Sequence, residues 1–147
     1  MIRIACDTDP VVVTCAGASI SLRRLRPGAF SGATEASSEI LADDDRLEQT
    51  MDAHGLFPAG GVDEWRLLKA ADPQRYAETM TGLGLWLGAV ECAERAIVSW
   101  EGLIVEGGAP APLNRRTVEA LMLDPKFSED ILKAIDAARP VITETVQ

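Results

Sequence analysis

The sequence predicts an α+β protein that is mainly α, with a small N-terminal antiparallel β-sheet followed by a bundle of about four to five helices. Three features lead there. β-Branched residues crowd the first 26 positions in short runs, helix-start signals recur along the rest of the chain, and one apolar stripe persists from Tyr76 to Trp100. With 147 residues, 47% of them apolar, the chain has material for one domain with a real core and falls outside the disordered class. One domain, 1–147, is expected: a β-rich stretch over residues 1–26, a helical stretch over 27–140 and a tail over 141–147.

The β-type runs are Ile2 to Cys6, Val11 to Cys15 and Ser19 to Leu25. Asp9-Pro10 separates the first two, and Ala16-Gly17-Ala18 supplies turn chemistry between the second and third. In the third run Ile20 and Leu22 face one way while Ser21, Arg23 and Leu25 face the other.

From Pro27 to about Ala53 the composition turns helical, with Ile40, Leu47 and Met51 spaced at seven and four residues and Asp43, Asp44 and Asp45 interrupting. Gly55 to Gly61 is a loop by its glycines and proline, and a short helix spans about Asp63 to Ala70. Asp72-Pro73 then starts the longest helix, since aspartate accepts from free N–H groups and proline lacks the donor. Its stripe is Tyr76, Met80, Leu83, Leu87, Val90 and Ile97, continuing to Trp100 and broadened by Leu85, Trp86, Ala89, Ala93 and Ala96. Gly82, Gly84 and Gly88 weaken it by about 1 kcal/mol each relative to alanine; glycine there can permit close approach by a neighbour, with ordinary core packing the plainer account. After a Gly- and Pro-rich loop from Glu101 to Pro112, Asn114 caps a short helix carrying Val118, Leu121 and Met122. Asp124-Pro125 starts the last helix, whose stripe is Phe127, Ile131, Leu132 and Ile135, and Pro140 ends it. The tail from Val141 to Gln147 is expected to be loose.

The formal charge of −9 repels a phosphate backbone, so nucleic acid is an unsuitable partner. The charge is uneven. Residues 1–27 carry Arg3, Arg23, Arg24 and Arg26 against Asp7 and Asp9, whereas residues 28–64 carry nine acids against Arg46 alone. These two stretches either pair within the fold or serve partners of opposite sign; a solvated acidic face is the plain alternative. Cys6, Cys15 and Cys92 are scattered, without a CxxC, which suits reduced thiols in a cytosol. The N-terminus lacks the long apolar core of a signal peptide, and the greasy segment from Gly82 to Val90 is too short to span a bilayer, so no membrane contact is expected.

The residues hold no arrangement that argues for catalysis. His54 lies in a turn-like segment with no evident partner and is expected to be structural or exposed. Asp43, Asp44, Asp45 and Glu48 lack the glycine and alternating spacing of a calcium loop, so a solvated helix face is the simpler account. Gly82, Gly84 and Gly88 fall inside a helix rather than between a strand and a helix, which no phosphate-binding loop does. Glu91 and Glu94 lack the histidine of a di-iron site, and with Arg95 they suit an inter-helix ion pair. Cys92 is expected to behave as a small apolar residue. A non-enzyme without metal or cofactor is therefore expected, acting through protein contacts on a face containing Met80, Leu83, Leu87, Val90 and Trp100. That face either packs on the N-terminal sheet or makes a subunit contact in a homo-oligomer.

The stretch from Ala96 to Phe127 resembles a pattern in tail assembly chaperones and neighbouring tail-gene products of long-tailed bacteriophages, in which a helix closes on Val, Trp and Gly. A Gly-containing polar turn, a Pro-x-Pro, a short helix and a final helix follow. Val98, Trp100, Gly102, Gly107, Gly108, Pro110, Pro112, Val118, Leu121 and Phe127 take those places. Leu113 replaces the usual aromatic, and the acidic turn is reduced to Glu106. The segment Ser21 to Arg26 is similar to the strand-then-helix opening of such proteins. The resemblance implies a protein of the host cytoplasm that keeps a long tape-measure protein soluble and recruits tail-tube subunits. A structural component of the virion, in head-tail joining, the baseplate or capsid decoration, is the alternative. Independently of family, Trp100 is expected to cover the following turn and donate its indole N–H to a loop carbonyl.

Overall fold

A computed structural model describes residues 2–6, 9–140 and 142–146, with side chains for 9–140. The fold is α+β and mainly α. Among the described residues, two short antiparallel sheets accompany six helices: β1 (Ile2–Cys6), β2 (Val11–Cys15), β3 (Ala18–Leu22), α1 (Pro27–Ala42), α2 (Asp44–Ala53), α3 (Gly61–Ala71), α4 (Pro73–Ala96), β4 (Ile97–Glu101), α5 (Arg115–Leu121), α6 (Pro125–Ala137) and β5 (Ile142–Val146).

The β2–β3 hairpin closes where the sequence places turn chemistry. Ala16 and Gly17 both have positive φ, the conformation that matches a two-residue hairpin turn to strand twist. The third strand ends at Leu22 rather than Leu25, because the chain then turns toward α1. The run at Ile2 does not join this sheet. It pairs antiparallel with β5, from Ile2 opposite Val146 to Cys6 opposite Ile142, so the tail expected to be loose contributes a strand. The β-branched residues of Ile142–Val146 carried that signal.

The third position of the main sheet goes to β4, and this corrects the expected reach of the long helix. α4 stops at Ala96 and Ile97 takes extended backbone, with Ile20 opposite Trp100 and Leu22 opposite Ile97. Two β-branched residues, Ile97 and Val98, meet the open edge of β3 there, while Arg23 N donates to the Ala96 carbonyl at 2.8 Å. Trp100 is therefore a strand residue.

The helix starts follow side-chain chemistry. Asp43 caps α2 through Arg46 N, Asp72 caps α4 through Arg75 N, Asn114 caps α5 through Thr117 N, and Asp124 caps α6 through Lys126 N and Phe127 N. Asp43, in extended backbone, divides the expected 27–53 helix in two, which brings the count to six.

α4 is the axis of the fold, and α1 runs antiparallel against it. A Cβ added at Gly84 would stand 3.3 Å from Leu41 Cδ1, and one at Gly88 4.0 Å from Ser37 Oγ, whereas Gly82 faces open space. Leu83, Leu87 and Val90 are buried in one core with Ile20, Met51 and Ile131. Leu85 does not broaden that face: it is 74% exposed. Leu132 likewise leans to solvent, so the buried stripe of α6 is Phe127, Ile131 and Ile135. Among the described residues no helix is long and apolar enough to cross a membrane.

Leu87 is fully buried, so Leu87→Ala should lower unfolding free energy by about 2–5 kcal/mol, whereas Leu85→Ala should change it by about 0.5 kcal/mol or less. Urea titrations of both variants check the contrast; equal effects would contradict the placement of α4.

Candidate protein-docking surface

α4, α5 and the end of α2 meet through a chain of charged groups. Glu91, buried on α4, receives Arg95 from its own helix and Arg115 Nη1 from α5, the latter at 2.5 Å. Arg115 also reaches Glu94 at 2.6 Å and, through Nε, Glu119 at 3.2 Å. The second Glu119 oxygen lies 3.2 Å from His54 Nε2, and the Glu119 carbonyl accepts the Trp86 indole N–H at 3.2 Å. His54 and Trp86 meet edge to face, 5.7 Å between ring centres.

Burial alone would raise the Glu91 pKa, but hydrogen bonds and charge from Arg95 and Arg115 outweigh it and hold the carboxyl below its ordinary value. Burial works against the Arg115 charge too; Glu94, Glu91 and Glu119 overcome it and raise its pKa. Each of these charges is thus committed to a partner, and the arrangement braces α5 against α4 and α2. His54 is structural, its side chain 6% exposed, and its partner Glu119 lies 65 residues away.

The other chemical candidates are also accounted for by contacts. Asp43 is a cap, and Glu48 takes a two-pronged hydrogen bond from Arg66 at 2.9 and 2.8 Å. Among the described residues no three His, Cys, Asp or Glu side chains gather as a metal cluster. Cys92 is half-buried and Cys15 buried; burial pushes both thiols up, away from the reactive thiolate. Nothing is described of the Cys6 side chain.

The proposed contact face divides. Leu83, Leu87 and Val90 belong to this chain's own core and Met80 is half-buried at its edge, so the core takes the residues that the spacing offered to a partner. Trp100 has the role expected of its ring: half-buried, it donates its indole N–H to the Ala111 carbonyl at 2.9 Å.

That bond holds a protruding hairpin. After β4 the chain turns at Gly102, with φ +89° and its Cα packed so closely on Ala18 that a Cβ would stand 3.3 Å from the Ala18 Cα. Val105 N then donates to Ala109 O, and Ala111 N to Leu103 O, around a tip in which Gly107 and Gly108 both adopt positive φ. The hairpin carries Ile104, 69% exposed, and Val105, 40% exposed, with Leu113, 42% exposed, just after it. Val105 and Pro112 also border an open depression of about 470 Å³, lined further by Ala53, His54, Asn114, Arg116, Thr117 and Ala120. An apolar projection beside an apolar hollow is the surface type that proteins use to dock. Sequence reasoning passed over Ile104 and Val105 as loop residues, although two β-branched residues before Gly-Gly were the available signal.

No protein-family model matches the chain, and no curated protein or solved structure is significantly similar to it.

Because the folded Glu91 pKa is depressed, its stabilising contribution is complete above the unfolded value of about 4.3 and is lost as pH falls through the folded value. Unfolding free energy should therefore drop from about pH 5 downward, and Glu91→Gln should flatten that drop while lowering stability at neutral pH by about 1–3 kcal/mol. Denaturant titrations across pH measure both. Trp100→Phe removes one hydrogen bond, worth about 1 kcal/mol, and should speed hydrogen exchange at the Val105 and Ala111 amides while leaving Leu22 unchanged.

Proposed function

We propose that this chain is a tail assembly chaperone-like protein of a long-tailed bacteriophage or phage-derived particle, working by protein–protein binding. It keeps the tape-measure protein soluble and recruits tail-tube subunits in the host cytoplasm. It is not an enzyme and needs no cofactor. The observation that carries the proposal is the Trp100-braced hairpin, which exposes Ile104 and Val105 beside an apolar depression.

Physical suitability and resemblance converge on the same segment. A tape-measure protein is, by the resemblance, a long helical partner with apolar surface that aggregates when uncovered, and a binder of such surface must itself present apolar groups without aggregating. The charge of −9 supplies that solubility, and the hairpin supplies the contact. Gly102, Gly107, Gly108, Pro110 and Pro112, the positions of the resemblance, are those that shape and follow the hairpin.

Co-expression with tape-measure and tail-tube proteins of a long-tailed phage should bring the tape measure into the soluble fraction bound to this chain. The double variant Ile104→Asp, Val105→Asp, with unchanged melting, should recover roughly tenfold less partner, the effect of about 1.4 kcal/mol. Equal recovery would contradict the docking surface. Mass spectrometry of purified particles should find the chain scarce; a fixed copy number would instead identify a building block of the virion.

A further inference from the structure

Four arginines, Arg23, Arg24, Arg26 and Arg95, border one open depression of about 470 Å³ that Leu25 and Ala29 also line. In a chain of net charge −9 this is a local concentration of the opposite sign. Two of the four are occupied. Arg95 meets Glu91 and reaches the Gly32 carbonyl, and Arg24 Nε donates to the Asp9 carbonyl at 2.9 Å. Arg23 and Arg26 are exposed, and neither has an ion-pair partner among the described residues.

The backbone that carries this pair is pinned. Arg23 N donates to the Ala96 carbonyl at the end of α4, Leu25 is buried in the core, and Ala29 N donates to the Arg26 carbonyl in the first turn of α1. A ligand therefore meets the two guanidiniums with little backbone left to order. Stability does not account for their charges. Arg95, in the last turn of α4, already answers the negative end of that helix. Arg26 is the N-cap of α1, where the helix dipole disfavours a cation, and its side chain makes no capping hydrogen bond. Like charges gathered at one depression also repel each other, an opposition that anions brought by a ligand relieve.

Shape and surrounding charge narrow the ligand. An open depression encloses too little of a small anion to hold it, since small-molecule sites enclose most of their ligand's surface. An extended polyanion fails for another reason. The exposed Glu35 lies about 14 Å along α1 from Arg26, beyond the screening length of about 8 Å, so a phosphate backbone or an anionic bilayer would pass from the arginines onto an acidic surface. What fits is short and mixed. The planar fork of a guanidinium takes a carboxylate through two hydrogen bonds, and Leu25 and Ala29 offer contact to an apolar side chain.

We propose that this depression docks a short acidic segment of a partner protein, with Arg23 and Arg26 pairing its carboxylates and Arg24 and Arg95 adding to the positive field. It lies at the end of the β3–β4 ladder where Leu22 pairs with Ile97, whereas the hairpin leaves the other end. The proposal does not depend on the hairpin or on the proposed function.

Fluorescence anisotropy on the full chain tests it, with a labelled peptide of alternating glutamate pairs and leucines as the probe. Saturable binding is expected at low ionic strength, weakened about tenfold or more by Arg23→Gln with Arg26→Gln, and absent for the same peptide with glutamine in place of glutamate. Lys69→Gln with Arg75→Gln removes the same charge near the start of α4, about 30 Å along that helix from Arg95, and is expected to bind as the wild type does. Thermal melts check that both double variants fold. Equal loss in the two variants, no loss in the first, or equal binding of the glutamine peptide would each overturn the proposal. So would displacement by inorganic tripolyphosphate at a lower concentration than by unlabelled peptide, which marks a phosphate site. Self-association of the chain that Arg23→Gln with Arg26→Gln abolishes would overturn it too, by making a second copy the occupant.

Discussion

Glu91 places a carboxylate where water scarcely reaches, and the fold around it is arranged to make that tolerable. A buried charge without partners would cost several kcal/mol, so the side chain must be met by cations held in place from more than one direction. Arg95 meets it from the same helix and Arg115 from α5. Arg115 in turn binds Glu94 and Glu119, and Glu119 reaches His54 at the end of α2. One requirement, the neutralisation of Glu91, thereby fixes the position of α5 relative to α4 and α2. Through α5 it also fixes the exit of the hairpin that precedes it.

The helices were largely legible because their signals are local. Asp-Pro at 72–73 and 124–125 and Asn114 marked helix starts, and each makes the backbone hydrogen bonds that its side-chain chemistry allows. The buried stripe of α4 followed from spacing at Leu83, Leu87 and Val90. What stayed hidden depends on partners distant in sequence. Ile97 to Trp100 continued a helical spacing, yet the unfilled edge of β3 drew those residues into a strand. Likewise, β1 pairs with a strand that lies more than 130 residues away, and His54 acquires its carboxylate from α5. Periodicity also says which residues lie on one face without saying what covers it. The stripe that suggested a partner surface is covered by this chain itself, and Leu85 at its border points outward.

Three exposed apolar side chains, Ile104, Val105 and Leu113, lie on or just after a limb whose backbone is tightly constrained. Gly102 turns the chain against Ala18, Trp100 ties the returning limb at Ala111, and Gly107 and Gly108 shape the tip. Ile104 and Val105 are consequently held out from the core on a braced limb rather than a loose loop. Such bracing lowers the ordering cost of binding, and the charge carried elsewhere on the surface opposes indiscriminate association. The proposed docking role falls to the hairpin and the adjoining hollow.

Whether a partner is held by the hairpin and the depression next to it can be read from hydrogen–deuterium exchange, comparing the free chain with the chain in the proposed complex with a tape-measure protein. Slower exchange across residues 103–120 and at the end of α2 is the outcome expected of such a contact. An unchanged hairpin, with protection confined to the β2–β3 turn or to α6, would contradict it.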